Sequence, residues 1–415
     1  MSGIPQITIV VPGRWHAFEL ARELEQLGAL HRIVTSYPKS RTRRWGIPDE
    51  KVVSLPFSLL LTRLVWKLGG EAWAMKLQFR INDLFARQAA RYLGRPDLVH
   101  AWSGAAEPSL RVAQQQGIPT VLERSSAHML EQCRLLGAEY SSLGLHWVGT
   151  PSATVERELR EYAMADQVFI PSRFVERTFL RERHPAKRLF LNGLGVDVSR
   201  FHPGTKTDGV FRVVFAGSLN VRKGIHHLVA AFRKANIPNS ELLLVGGATP
   251  ESDRLIGAPD PRIRLIGHVP QNELLEHYRQ ASVFVLASIE DGFGMVLAQA
   301  LACGLPIVST ANTGGEDLLR QDGPGREITP HVWEFASGVV VPPGDSAALA
   351  GVLQGLAADP ARCARMRQAA VDLARRDLSW RRYAAANLEQ YKVLVQAARQ
   401  PGVGRRANFA GVASS

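Results

Sequence analysis

Residues 283–318 read VFVLASIEDGFGMVLAQALACGLPIVSTANTGGEDL. Two aliphatic, β-branched runs, at 283–287 and 307–309, flank a glycine-broken turn and a helical stretch. Uninterrupted apolar runs of this kind belong to strands of a parallel sheet covered on both faces. A helix is expected from about Gly294, carrying Met295, Val296, Ala298, Ala300, Leu301 and Ala302, with Gly304 and Pro306 as its stop. A strand–helix–strand unit with such strands confines the chain to the α/β class. Between strand and helix, Glu290-Asp291-Gly292-Phe293-Gly294 sets two carboxylates and two glycines at a helix N-terminus. Free amides and the positive dipole end there favour an anion such as a pyrophosphate. The glycines let the backbone approach a ligand where a Cβ would obstruct it. The same residues also suit an ordinary capped βα turn, and the fold class alone does not choose between them.

The rest of the chain repeats the alternation. In the first half, a strand at 7–11 runs into Pro12-Gly13-Arg14-Trp15-His16 and a helix with Leu20, Ala21, Leu24 and Leu27 on one face. A strand at 31–35 precedes a loop carrying Lys39, Arg41, Arg43, Arg44 and Trp45. Residues 56–93 mix Leu, Trp and Phe with Arg and Lys at helical spacing, broken by Gly69-Gly70. Such helices either lie in a membrane interface or cover one sheet face and wet the other. Strands at 98–101, 120–122 and 167–170 alternate with helices at 107–116, 152–163 and 173–183. The loop Glu123-Arg124-Ser125-Ser126-Ala127-His128 falls at a strand's carboxyl end, where open α/β sheets bind ligands. A polar linker is expected at 205–209. The second half opens with a strand at 212–216, then Gly217-Ser218-Leu219-Asn220-Val221-Arg222-Lys223-Gly224 and an amphipathic helix. Arg222 and Lys223, between a strand end and a helix start, suit a phosphate better than a solvated surface does. Strands at 242–245 and 264–266 follow, the second leading into Gly267-His268-Val269, then a helix at 272–280. Beyond 318, an irregular loop at 321–334, a strand at 338–341, two helices through Asp377 and a last helix at 379–398 are expected. The tail from 399 lacks periodicity and reads as disordered.

These motifs resemble the retaining glycosyltransferases of family 4, which share the GT-B fold of two facing Rossmann-like domains. The family's donor signature is an acid, Gly-Phe-Gly, a second acid eight positions after the first, then Ala-x-Ala-x-Gly-x-Pro. Asp291-Gly292-Phe293-Gly294 and Ala300-Leu301-Ala302-Cys303-Gly304-Leu305-Pro306 match it. The first acid, usually Glu, is Asp291 with Glu290 beside it. The second, usually a Glu on the ribose hydroxyls, is Gln299, which can still accept from one hydroxyl and donate to another. Lys223 matches the lysine that neutralises the donor pyrophosphate. The family arginine is replaced by Ser218, with Arg222 as substitute cation. Gly267 and Val269 match the segment edging the base, and Asn192-Gly193-Leu194-Gly195-Val196-Asp197 matches the passage out of the first domain. The resemblance implies an acceptor domain at 1–204 completed by a crossover helix at 379–398, and a nucleotide-sugar domain at 205–378.

By the same resemblance, Lys223, Arg222 and Asp291 carry the chemistry. Gly217, Gly267, Val269, Glu290, Gly292, Phe293, Gly294, Met295, Val296 and Gln299 line the donor, and Gly13, His16 and His128 lie on the acceptor side. His16 suits substrate contact and helix capping or packing alike. His128 falls a few residues after the family's usual histidine position, which holds Glu or Arg here. The implied reaction is retaining transfer from a nucleotide diphosphate-sugar to an acceptor hydroxyl, with no protein nucleophile and the leaving phosphate taking the acceptor proton. Arg222, Lys223 and the amides around residues 293–295 suit stabilisation of the departing pyrophosphate.

Composition sets the remaining limits. At 415 residues, 46% hydrophobic and 21% charged, the chain is long and apolar enough for two soluble domains. Fifty basic against 38 acidic residues, a net +12, point to acidic partners: a nucleotide diphosphate-sugar, or an anionic membrane touched peripherally where a lipid-linked acceptor would sit. The sugar acceptor is otherwise soluble. Cys133, Cys303 and Cys363 show neither pairing nor ligand spacing, so a reducing, cytoplasmic setting and no metal or other cofactor are expected. No apolar stretch approaches the roughly 18–20 residues needed to span a bilayer. Other GT-B chemistries, 2-epimerisation of a nucleotide sugar or phosphorolysis, stay open as alternatives, although the pyridoxal-lysine motif of a phosphorylase is missing. A basic nucleic-acid-binding protein would need a reader motif, and none is recognisable.

Overall fold

A computed structural model describes residues 3–400. It contains two largely parallel sheets with helices between their strands, the expected α/β architecture. The first sheet is built from β1 (Ile7–Val11), β2 (Leu30–Thr35), β3 (Val52–Ser54), β4 (Leu98–Trp102), β5 (Thr120–Glu123), β6 (Gln167–Ile170) and β7 (Leu189–Leu191), in the order β3-β2-β1-β4-β5-β6-β7. The second comprises β8 (Phe211–Ala216), β9 (Ser240–Val245), β10 (Ile263–Gly267), β11 (Val283–Leu286), β12 (Ile307–Thr310), β13 (Arg326–Thr329), β14 (Val332–Phe335) and β15 (Gly338–Val341), ordered β10-β9-β8-β11-β12-β15-β14-β13. In the second sheet the β13–β14 and β14–β15 pairs are antiparallel. The central strands are buried along their whole length, which explains their unbroken aliphatic sequences.

The described chain divides into two compact units. One gathers residues up to Val121, Met164–Asp166 and those from Ala385 on; the other is Leu122–Ala163 with Gln167–Ala384. In the first unit, Ile9 pairs with Ile33 on β2 and with His100 on β4. The fully buried Tyr391, on the Trp380–Arg399 helix, places its hydroxyl 2.6 Å from His100 Nδ1. In the second unit, Val213 on β8 pairs with Val283 on β11 over a core that includes Phe215, Phe284, Leu297 and Leu301.

Three local expectations change. The basic residues 39–43 form a short helix after Pro38, not a loop, because Lys and Arg are good helix formers and Thr42 supplies a buried anchor. Phe57–Ala89 is one 33-residue helix that passes through Gly69-Gly70. Glycine lowers helix propensity but, unlike proline, removes no backbone hydrogen bond. Within 321–334, expected to be irregular, residues 326–334 belong to the β13–β14 hairpin, with Pro330 and His331 at its tip. Here proline serves the turn and interrupts neither strand. The expected tail lies, from residue 401, outside the described residues. Among the described residues, no helix is long and apolar enough to cross a membrane.

Candidate active site

The second sheet's strand order sets the site. From β8 the chain winds outward through β9 and β10, then returns to place β11 on the other side of β8. That reversal brings the loops after β8 and β11 together at the strands' carboxyl ends, where α/β sheets bind ligands. The first loop is 217–224 and the second 287–294. They are stitched by the Ile289 amide donating to the Arg222 carbonyl at 2.9 Å. Gly224 has φ +65°, and a Cβ there would lie 1.9 Å from the Ala287 carbonyl oxygen, so only glycine lets the loops meet. The Asn220 side chain accepts from the Lys223 amide at 3.0 Å and fixes the turn that presents both cations.

Two consecutive cations therefore face two consecutive carboxylates. Lys223 Nζ forms an ion pair with Asp291, and Arg222 Nε lies 2.7 Å from Glu290 Oε2. Burial by itself would raise the Asp291 pKa, but Lys223, Arg222 and hydrogen bonding hold it below the ordinary carboxylate value. Burial likewise opposes charge on Arg222, and Glu290 and Asp291 outweigh it, keeping the guanidinium firmly protonated. The Arg222 side chain stays 32% exposed and that of Lys223 19%, so both remain accessible to a small anion.

Glu290, expected among the donor-lining residues, is fully buried. Its carboxylate accepts from the Ala127 amide at 2.8 Å and Gln132 Nε2 at 2.8 Å, besides Arg222. Arg222 Nη2 also reaches Ser126 Oγ at 3.4 Å. Behind them, Gln132 Oε1 accepts from Arg124, Arg124 pairs with Glu158 at 2.7 Å, and the Tyr162 hydroxyl donates to Glu158 at 2.5 Å. A continuous buried network thus backs the Arg222–Glu290 pair. Sequence reading singled out neither Gln132 nor Glu158; both lie on helices more than 130 residues from Glu290, and neither sits in a recognisable motif.

The remaining donor-side candidates lie in the 287–294 loop, on the Met295–Ala302 helix and at the ends of β8 and β10. Gly292 passes the 125–126 backbone so closely that a Cβ would come within 2.0 Å of the Ser125 carbonyl oxygen. Phe293 is buried, and Gly294, at φ +75°, starts the Met295–Ala302 helix. Met295, Val296 and Gln299 are half-buried on that helix. Gly217 follows β8, with its amide on the Val245 carbonyl at 2.9 Å. Gly267 ends β10 at φ +80°, and Val269 is half-buried two residues on. Asn312, not singled out from sequence, accepts from the Asp291 amide at 3.0 Å and donates to the Ile289 carbonyl at 2.9 Å.

His128 begins the Met129–Ser142 helix, 5% exposed, with the rings of Tyr162 and Phe179 each 4.9 Å away. Burial, then Arg124, pushes its pKa down to about 4. In the first unit, Gly13 lies under the Trp15 ring, and the buried His16 precedes the Ala17–Gln26 helix with its ring 5.3 Å from that of Trp102.

The sequence descriptions of two families cover most of the chain. Residues 14–200 match Glycosyltransferase Family 4 and residues 210–359 match Glycosyl transferases group 1. The chain belongs to the family 4 glycosyltransferases. It is 28% identical over 330 residues to the glycogen synthase of Mycobacterium tuberculosis H37Rv, covering 74% of this chain and 71% of that protein. Sucrose-phosphate synthase from Thermosynechococcus elongatus superimposes with a TM-score of 0.67 at 22% identity, over 95% of this chain and all of that one. Anabaena HepE in complex with UDP and glucose does so at 0.62 and 15%, over 94% of this chain and all of that one. The fold of this glycosyltransferase is GT-B, and the enzyme transfers a sugar from a nucleotide-sugar donor.

Proposed function

We propose that the 217–224 and 287–294 loops hold the donor diphosphate and that transfer proceeds with retention of configuration to a hydroxyl of a sugar or lipid-linked acceptor. The observation that carries this reading is the pairing of Arg222 and Lys223 with Glu290 and Asp291 at the sheet's switch point. Lys223 and Arg222 take up the negative charge that develops on the departing diphosphate. Asp291 holds Lys223 in place and offers its carboxylate to a donor hydroxyl. Glu290, enclosed by protein donors, positions Arg222. The amides that open the Met295–Ala302 helix add a further anion-binding end, and Gln299 on the same helix meets the ribose. The two side-chain cations supply the charge that a metal would otherwise bring, so the transfer step is assigned no cofactor.

The names of similar proteins put UDP-glucose first among donors to test. A panel of nucleoside diphosphate-sugars, read by mass spectrometry of the retained nucleotide and by product release, tests the proposal. One donor should be held and turned over by the wild type and lost in Lys223→Ala. Equal turnover by that variant would remove the phosphate role.

On the acceptor side, Lys39, Arg41, Arg43 and Arg44 are all exposed, and Arg14 lies over the half-buried Trp45 ring at 4.0 Å. This basic surface supports a reading in which the enzyme meets a lipid-linked acceptor at an anionic membrane.

A further inference from the structure

Away from the loop carboxylates, three side chains converge that the donor-site reading does not use. His226 and His227 are consecutive in the first turn of the Ile225–Ala235 helix, where successive side chains leave the axis about 100° apart. Both nevertheless bring Nε2 to 2.7 Å from one atom, Glu139 Oε1 on the Met129–Ser142 helix, and their ring centroids are 4.1 Å apart. The ligand atoms of the three all lie within 4.8 Å of one another. His227 is steadied from behind, its Nδ1 3.2 Å from Ser346 Oγ at the start of the Ser346–Ala358 helix. The side chains are 11–20% exposed, which admits a small ion and little else.

We propose that Glu139, His226 and His227 bind a divalent transition-metal ion, zinc in the first instance, with water at a fourth position. Two imidazoles and one carboxylate are zinc's ligand types, whereas magnesium and calcium require oxygen sets. Tetrahedral zinc bonds of about 2.0–2.2 Å space the ligand atoms by about 3.4 Å. Seating the ion asks the two Nε2–Oε1 contacts, now 2.7 Å, to open by about 0.7 Å through side-chain rotation, with all three ligand atoms already within 4.8 Å of one another. With Nε2 on the metal, His227 Nδ1–H donates to Ser346 Oγ, the outer partner that fixes tautomer and ring. The helix's amino end opposes a cation, an effect much smaller than coordination by a carboxylate and two imidazoles. The ion would clip the Met129–Ser142 and Ile225–Ala235 helices together three residues beyond Lys223, with the Ser346–Ala358 helix joined through His227. Binding there neither rests on nor alters the donor-site reading.

The test uses untagged, full-length protein stripped by chelator, titrated with zinc chloride against a chromophoric chelator and, separately, with cobalt. One equivalent of zinc should bind, with the visible bands of four-coordinate cobalt. Glu139→Gln and His227→Gln should weaken zinc by at least about tenfold, and Ser346→Ala by about tenfold. Metal-free melting curves matching the wild type show that each variant is folded. Zinc uptake no greater than that of the His226→Gln/His227→Gln double variant overturns the site, as does affinity unmoved by Glu139→Gln. Should a variant fail to fold, the wild-type cobalt spectrum alone decides, and absence of four-coordinate bands counts against the proposal.

Discussion

At the scale of single residues, the site depends on charges that are matched before any ligand arrives. Removing Lys223 leaves Asp291 enclosed without its cation and, on the proposed reading, also removes a phosphate contact. Lys223→Ala should therefore cost about 1.5–3 kcal/mol of donor affinity or transition-state stabilisation, measured as kcat/KM against a donor titration. Gln299 separates two roles. Gln299→Glu should keep or improve donor affinity and Gln299→Leu should weaken it, and a neutral Leu variant would mean that the side chain only packs. His128 predicts an acid limb. Its folded pKa is about 4 against an ordinary 6.5, so between those values the unfolded chain takes up a proton that the folded chain refuses. Stability is thus intact above pH 6.5 and falls as pH drops toward 4, by up to about 3 kcal/mol from this group. His184, also lowered to about 4 by burial, acts in the same window. Urea midpoints for wild type and His128→Leu across that range should show a shallower fall in the variant.

At the scale of elements, the 220–224 turn joins stability to function. Asn220 caps it by accepting the Lys223 amide, so Asn220→Ala should cost about 1 kcal/mol of stability and weaken the donor without touching it. A fall in melting temperature with unchanged donor affinity would separate the cap from the site. The turn also shows what the sequence could and could not convey. Lys223, Asp291 and the glycines stand out as candidates because one loop supplies each motif and backbone geometry restricts its residue types. Glu290 was legible as an acid but not as a fully buried partner of Arg222. Its enclosure depends on the Ala127 amide and Gln132, which only tertiary folding brings near. Likewise Glu139 meets His226 and His227 across 87 residues, so no ligand spacing advertises the cluster. The Phe57–Ala89 helix and the β13–β14 hairpin were misread for a simpler reason: Gly and Pro mark backbone permissions, and neighbouring structure decides whether each becomes a break.

At the scale of the whole molecule, the net charge of +12 turns a local basic surface into a testable address. Each exposed cation near an anionic bilayer contributes about 1 kcal/mol, so on the membrane reading Lys39, Arg41 and Arg44, with Arg43 partly offset by Asp49, would together hold the protein reversibly. The protein should float with anionic but not neutral liposomes, and lose that association at high salt or when all four become Gln. No flotation at low salt would leave a soluble acceptor as the reading. The pairing of His100 with Tyr391 sets a different kind of constraint, one of timing. Synthesis delivers β1 to β4 first, yet their compact unit takes in residues from Ala385 onward, so it stays incomplete until nearly all of the intervening chain has left the ribosome. For most of translation the strand bearing His100 waits without its last helix. The nascent enzyme's exposure to chaperones and proteases therefore depends on the arrival of residues Ala385–Arg399, and a chain cut short before Ala385 would leave the first unit without the helix that meets His100.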